Sequence, residues 1–432
     1  MLEAGSDSIL KALLFAKCPR LRDLKFVATA KARRWTCLMV LTKLIKVCVH
    51  VSDNANPRED CSAQDTSTDQ EAALWPVGFV NIRSVAVGVR SGTFLDDSGY
   101  TTDSLWLMHL TRLPNLDSLY INGVCNYHTE PGEPLEKLLP AGSSSVKHIF
   151  LDNPDRLEGA VQNAIWAAPK QLLTASIRYE NASLRTNAGT AFSKLLRSQS
   201  TSLQSTMWYG PEDFDTRVLS GRQIQPVSSY RTFERADIDN LRSTTTIKNV
   251  SFYMQDIMKM AINSLDVDEL EFVTGLFPES METLVLVGTL DLTEESSLES
   301  LAEWLDLALA KTITCGRYPN LKALYLEGVE KRRLSQNPRF KPWFQKVIAA
   351  GGVAGVDVHT LTNRAPMQHS IGFFEAPDKY DLVTGPHKGI RSPDQVFDPY
   401  LGHRVSLGCQ RCGTCEDCLR EYRDFVWEET RA

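Results

Sequence analysis

The 432-residue chain lacks a strongly basic stretch, an apolar run of membrane length and any familiar catalytic signature. Each absence excludes something. With 47 Lys and Arg against 53 Asp and Glu, its net charge is −6, so it has no basic footprint for nucleic acid and nothing to draw it to an anionic membrane. The apolar stretch CLMVLTKLIKVCVHV (37–51) carries Lys43 and Lys46 and is too short to span a bilayer. The first residues, MLEAGSDSILKALLFAKCPR, open with acids and Lys11 interrupts their apolar run, which is not the pattern of a signal peptide. Cytoplasm or nucleus is the expected compartment.

Chemistry is equally scarce. No Walker A loop, dinucleotide-binding glycine fingerprint, H-E-x-x-H or G-x-S-x-G occurs. The eight histidines are dispersed, and none stands beside a Cys or Ser in a nucleophile setting. The expectation is a protein that is not an enzyme and that works by binding.

What the chain does have is repetition. PNLDSLYINGV at 114–124 returns as PNLKALYLEGV at 319–329, with seven of eleven letters shared. Both fit a seven-position template whose positions 1, 4 and 6 are apolar. It recurs at Leu21-Leu24-Phe26, Leu44-Val47-Val49, Ile82-Val85-Val87, Leu116-Leu119-Ile121 and Val146-Ile149-Leu151. Further copies are Ile247-Val250-Phe252, Met281-Leu284-Leu286, Leu321-Leu324-Leu326 and Val353-Val356-Val358, with degraded ones at Thr174-Ile177-Tyr179 and Leu203-Thr206-Trp208. The mean step is about 33 residues, longer than that of regular leucine-rich repeats.

Helical patterns fill the intervals. Asn153-Pro154 reads as a helix start, followed by the stripe Leu157, Ala160, Val161, Ala164 and Ile165. Ser296 with Glu299 reads as a capping box, and Gly316 and Pro319 stop that helix. Stretches 104–113 and 342–352 also predict helices. A strand apolar on one face cannot bury that face alone, so repeated strand–helix units stack into one core. The predicted fold is α/β: an irregular leucine-rich-repeat solenoid, with a curved parallel sheet on the concave side and helices on the convex side. An ordinary doubly wound domain is the alternative.

The solenoid is predicted over 1–359, with inserted loops at about 52–74 and 210–245 and a short helix near Ile238. Residues 360–432 read as an irregular cap or tail in which Phe373, Phe374 and Tyr380 supply apolar contacts.

PNLKALYLEGV, the strand–helix alternation, the irregular period and the late CQRCGTCEDCLREYRDFVW together resemble fungal F-box/leucine-rich-repeat proteins. The resemblance covers about residues 10–360 plus the tail. It implies the substrate-holding part of a ubiquitin-ligase receptor, whose F-box docks on the adaptor of an SCF-type ligase. The residues SILKALLFAKCPRLRDLKF already read as repeat helix and strand, so an adaptor is expected as a partner only if an F-box is missing from this chain.

Strand alternation sends positions 3, 5 and 7 to the face opposite positions 4 and 6. Position 5 then reads Lys25, Cys48, Ala86, Tyr120, Phe150, Arg178, Met207, Ser251, Val285, Tyr325 and Asp357. Aromatics, Arg and Met are the types enriched in interface cores. Tyr120, Phe150, Arg178, Met207 and Tyr325, with Tyr209 and Tyr253 at position 7, are therefore the predicted concave-face residues for a protein or peptide partner. His148 and His359 fall on the same face.

Cys409, Cys412, Cys415 and Cys418 stand at C-x2-C-x2-C-x2-C. A bend at Gly413 would let them enclose one zinc, with His403 replacing a thiol. The spacing misses the iron–sulfur pattern, and a reduced cluster without metal is the alternative. A second functional reading follows, a metal- or redox-responsive protein working through this tail.

Overall fold

In a computed structural model the described residues are 8–28, 36–55, 75–90, 102–125, 134–152, 154, 157, 159–178, 188–209, 235–254, 257, 269–287, 295–327, 344–361, 395–398 and 403–406. The described residues divide into two compact units at Ala175/Ser176.

The first unit runs α1 (Ser8–Lys17), β1 (Asp23–Ala28), α2 (Thr36–Ala55), α3 (Val77–Asn81), β2 (Ser84–Arg90), β3 (Thr102–Asp103), α4 (Ser104–Leu110), β4 (Ser118–Asn122), β5 (Val124–Cys125), α5 (Leu135–Leu138), β6 (His148–Asp152) and α6 (Gly159–Ala167). Then comes β7 (Thr174–Arg178), where the division falls. The second unit continues with α7 (Ala188–Ser198), β8 (Ser205–Tyr209), α8 (Arg235–Ser243), β9 (Asn249–Tyr253), α9 (Glu269–Thr274), β10 (Thr283–Val287), α10 (Glu295–Thr314), β11 (Ala323–Glu327), α11 (Gln345–Ala354) and β12 (Asp357–Leu361). A short antiparallel pair, β13 (Gln395–Asp398) with β14 (His403–Ser406), ends it.

Within each unit every repeat strand pairs in parallel with the next in chain order, β1-β2-β4-β6 in the first and β8-β9-β10-β11-β12 in the second. A doubly wound sheet reverses its order partway; these do not. The fold is the α/β repeat solenoid, and the pairing follows the repeat alignment. Leu24 sits opposite Val85, Tyr120 opposite Phe150, Thr206 opposite Val250 and Leu284 opposite Leu324.

Two polar devices hold that register. At position 2 most carbonyls accept two N–H groups from the next repeat: Arg83 O from Asp117 N at 2.8 Å and Ser118 N at 2.9 Å, and Lys248 O from Glu282 N at 2.7 Å and Thr283 N at 3.0 Å. One residue before position 1, a short polar side chain donates to a carbonyl of the preceding repeat. Asn81 reaches Pro19 O, Asn115 reaches Val80 O and Ser145 reaches Leu116 O, at 2.9, 2.9 and 3.0 Å. Thr246 reaches Leu203 O at 2.8 Å and Ser280 reaches Ile247 O at 2.7 Å. Such donations satisfy backbone groups that a buried turn would otherwise orphan. This is what the Pro-Asn-Leu at 114–116 accomplishes: Leu116 enters the core with no exposure while Asn115 clasps the neighbouring turn.

Several expectations are corrected. Leu44-Val47-Val49 is not a strand but part of the long helix α2, which runs on to Ala55. Helix α6 starts at Gly159 rather than Pro154, and Ser296 lies inside α10 rather than capping it. Helix α8 occupies Arg235–Ser243 and packs on α7, with Asn240 Nδ2 donating to Ser193 Oγ.

Helices cover one sheet face. In the second unit Phe192 of α7 lies 5.1 Å, ring to ring, from Trp208 and 6.0 Å from Phe252, both at position 6. Helix α11 begins in an unusual way. The residue before it, Phe344, is buried at φ 61°, and no side chain of its own caps the helix. The carboxylate of Asp306, from α10, accepts the N–H of Lys346 at 3.1 Å and of Val347 at 2.8 Å instead.

Candidate carboxyl-end site

Most of position 5 lines up across the strands as predicted, but its described side chains are not open to solvent. Tyr120, Phe150, Met207 and Tyr325 are at most 1% exposed, and Ala86, Ser251 and Val285 are equally buried. Tyr120 and Phe150 meet edge to face at 5.1 Å. The physical reason lies in the strands: SVAV, SLYI, HIFL, TLVLV and ALYL are apolar at both parities, as in parallel strands buried on both faces. These four residues belong to the interior, so the predicted open row at position 5 is corrected. Cys48 leaves that row altogether, lying in α2 with its thiol pushed up by burial.

Two registers shift as well. Lys147 O accepts the N–H of Leu173 at 2.7 Å and of Thr174 at 3.0 Å, which makes Leu173 position 2 of its repeat. The copy is then Leu172-Ala175-Ile177, with Leu172, Ala175 and Ile177 all buried, and Ser176 rather than Arg178 takes position 5. Ser176 Oγ accordingly lies 3.3 Å from Met207 Sδ, its position-5 neighbour. At the far end Leu324 pairs with Val358 and Tyr325 with His359. His359 therefore replaces Asp357 at position 5, and Val353, 88% exposed, sits on α11.

The shift gathers three predicted residues into one row. Arg178, Tyr209 and Tyr253 all stand at position 7, the carboxyl ends of β7, β8 and β9, which are neighbours in the second unit. Adjacent strands lie roughly 4.8 Å apart.

The two ends of the strands differ in kind. Chain enters β2 two residues after α3 and β12 two residues after α11, whereas residues 210–234 separate β8 from α8 and residues 328–344 separate β11 from α11. Length variation in repeat proteins collects on one side, often the binding side. The amino-terminal ends carry a charged stripe at position 2. Lys147 pairs with Asp117 at 3.0 Å, and Glu282 lies between Lys248 at 3.0 Å and Lys322 at 2.5 Å. Those two ammonium groups hold the Glu282 carboxyl below its usual range. At position 3, burial holds His148 below its ordinary value, partly offset by Asp117.

Cys409, Cys412, Cys415 and Cys418 lie outside the described residues, as do Phe373, Phe374 and Tyr380. Among the described residues no group of His, Cys, Asp and Glu is arranged to hold a metal ion, and no helix is long and apolar enough to cross a membrane.

No protein-family model matches the chain, and no curated protein matches it in sequence. Among solved structures, the leucine-rich repeat-containing protein LegL7 from Legionella pneumophila aligns over 90% of this chain and 97% of its own, at 13% identity and a TM-score of 0.42. A likeness at that level adds nothing to what the strand order shows.

Proposed function

We propose that the protein is a non-enzymatic interaction scaffold whose partner, a protein or peptide, docks at the carboxyl ends of β7–β9 on the row Arg178, Tyr209 and Tyr253. The observation that carries this reading is the corrected β7 register, which aligns one Arg and two Tyr on consecutive strands at the end where the long connections leave. Arg and Tyr are the side chains that dominate binding hot spots, and length variation in repeat proteins collects on one side, often the binding side. The resemblance to F-box/leucine-rich-repeat proteins supports a finer version, in which the partner is the substrate of a ubiquitin-ligase receptor. Affinity capture with mass spectrometry, comparing the natural chain with Arg178→Ala, Tyr209→Ala and Tyr253→Ala combined, tests the site. Partners lost from the variant support it, and an unchanged partner set sinks it. An SCF adaptor among those partners supports the finer version.

The tail supports a separate reading on its spacing alone, zinc held by Cys409, Cys412, Cys415 and Cys418. Zinc that co-purifies from reducing buffer and disappears in Cys409→Ser/Cys412→Ser is its expected result.

A further inference from the structure

A second surface lies in the first unit and is independent of the position-7 row. Helix α1 is amphipathic the wrong way round. It buries Ser8, Ala12 and Ala16, while Leu10, Leu13 and Leu14 are 57, 47 and 65% exposed. That orientation is locked by a close approach. A Cβ built on Gly78 of α3 would lie 1.9 Å from the Phe15 carbonyl oxygen and 2.9 Å from the Ala16 carbonyl carbon. Small residues inside are therefore what lets α1 pack on α3, and the leucines are left facing out as a ridge at i, i+3 and i+4. Helix α2, which packs beside α1, adds exposed Val47 and Val51.

The sequence of α1 and the turn after it is basic: Lys11, Lys17, Arg20 and Arg22, all exposed, stand between Asp7 and Asp23 with no acid among them, in a chain whose net charge is −6. We propose that the leucine ridge of α1 and its basic rim form a docking site for an acidic amphipathic helix of a partner protein. Apolar anchors at i, i+3 and i+4 are the grammar of helix recognition, and the rim selects a partner of opposite charge. A second copy fits worse, because a two-fold contact would set each basic rim against its own image. An anionic membrane fits worse too, since the whole chain is acidic and the ridge is a single ten-residue helix.

The test uses the full chain and two fluorescein-labelled helical peptides of identical leucine pattern, one flanked by Glu and the other by Lys, read by anisotropy. Binding of the acidic peptide alone is expected, weakening about tenfold in Leu10→Ser/Leu14→Ser and falling as salt screens the rim. The variant Lys17→Glu/Arg20→Glu/Arg22→Glu keeps the leucines and should invert the preference toward the basic peptide. Binding of neither peptide, or of both equally, overturns the proposal. So does acidic-peptide binding that survives both sets of substitutions. Vesicles of phosphatidylserine captured without peptide binding, or a dimer in sedimentation that the leucine substitutions dissolve, overturn it in favour of a membrane or a second copy.

Discussion

Asp306→Ala should loosen α11 far more than an ordinary surface substitution. Asp306 is 7% exposed and its two carboxylate oxygens each accept one N–H of the first turn of α11, at 3.1 and 2.8 Å. Hydrogen bonds to a charged acceptor contribute about 1.5–3 kcal/mol each, and an abandoned buried donor costs about 1–3 kcal/mol. Val347 is buried and its N–H would lose its acceptor; the N–H of Lys346, an exposed residue, can turn to water. The expected loss is therefore about 2–4 kcal/mol, with Asp306→Asn near half of that because one acceptor oxygen remains. Since the chain forms two units, global melting need not be two-state. Amide hydrogen exchange across Gln345–Ala354 is the sharper assay. Protection of those amides should drop by about two orders of magnitude, at 1.4 kcal/mol per tenfold. Unchanged protection in Asp306→Ala would show that α11 is held by packing of Phe344 and Val347 and that the shared cap contributes nothing.

Three further outcomes follow from the same reasoning. Gly78→Ala places a methyl 1.9 Å from a backbone oxygen and should destabilise the first unit by about 1–3 kcal/mol, seen as an earlier urea midpoint. Thr206 sits at position 4, where most other copies carry Val, Leu or Ile, and its buried hydroxyl has no hydrogen-bond partner among the described residues. Thr206→Val should stabilise by about 1 kcal/mol, and a lower melting temperature would count against that account. Tyr318 donates to Thr274 O at 2.7 Å and accepts from Phe277 N at 3.3 Å, and burial pushes its phenol up to about 12. Its folded value exceeds the unfolded value of about 10, so the stabilisation is complete below pH 10 and is lost as pH rises toward 12. Stability of the natural chain should fall through that window more steeply than that of Tyr318→Phe.

The repeat template was legible in most copies, although the last slipped by two residues, with Val356 read at the place that Val358 takes. Val85, Leu119, Ile149, Val250, Leu284 and Leu324 were all placed in register from sequence. Where position 4 is Ala175, the more apolar Ile177 drew the frame forward by two residues. The slip was of two residues, which is why Arg178 moved from position 5 to position 7. Leu44-Val47-Val49 failed differently. Apolar residues three apart satisfy a helix as readily as the template, and α2 is anchored by Leu38, Leu41 and Ile45 rather than by that triplet. The burial of position 5 was written in the chain, since Tyr120 and Phe150 sit among residues apolar at both parities, but hot-spot composition and core composition share the same letters. Nothing in the one-dimensional pattern showed that α1 turns its leucines outward. That depends on Gly78, distant in sequence, permitting the backbone of Phe15 and Ala16 to come close.

The paired N–H donations at position 2 and the Asn, Ser and Thr clasps all gather where strands begin, and among the described residues no such tie recurs on the opposite rim. One repeat can thus advance from His148 to Thr174 and another from Ser205 to Asn249 without disturbing the ladder. Foreign sequence grafted between Tyr209 and Arg235 should be tolerated for the same reason, whereas a single residue added between Gln204 and Ser205 would shift β8 against β9.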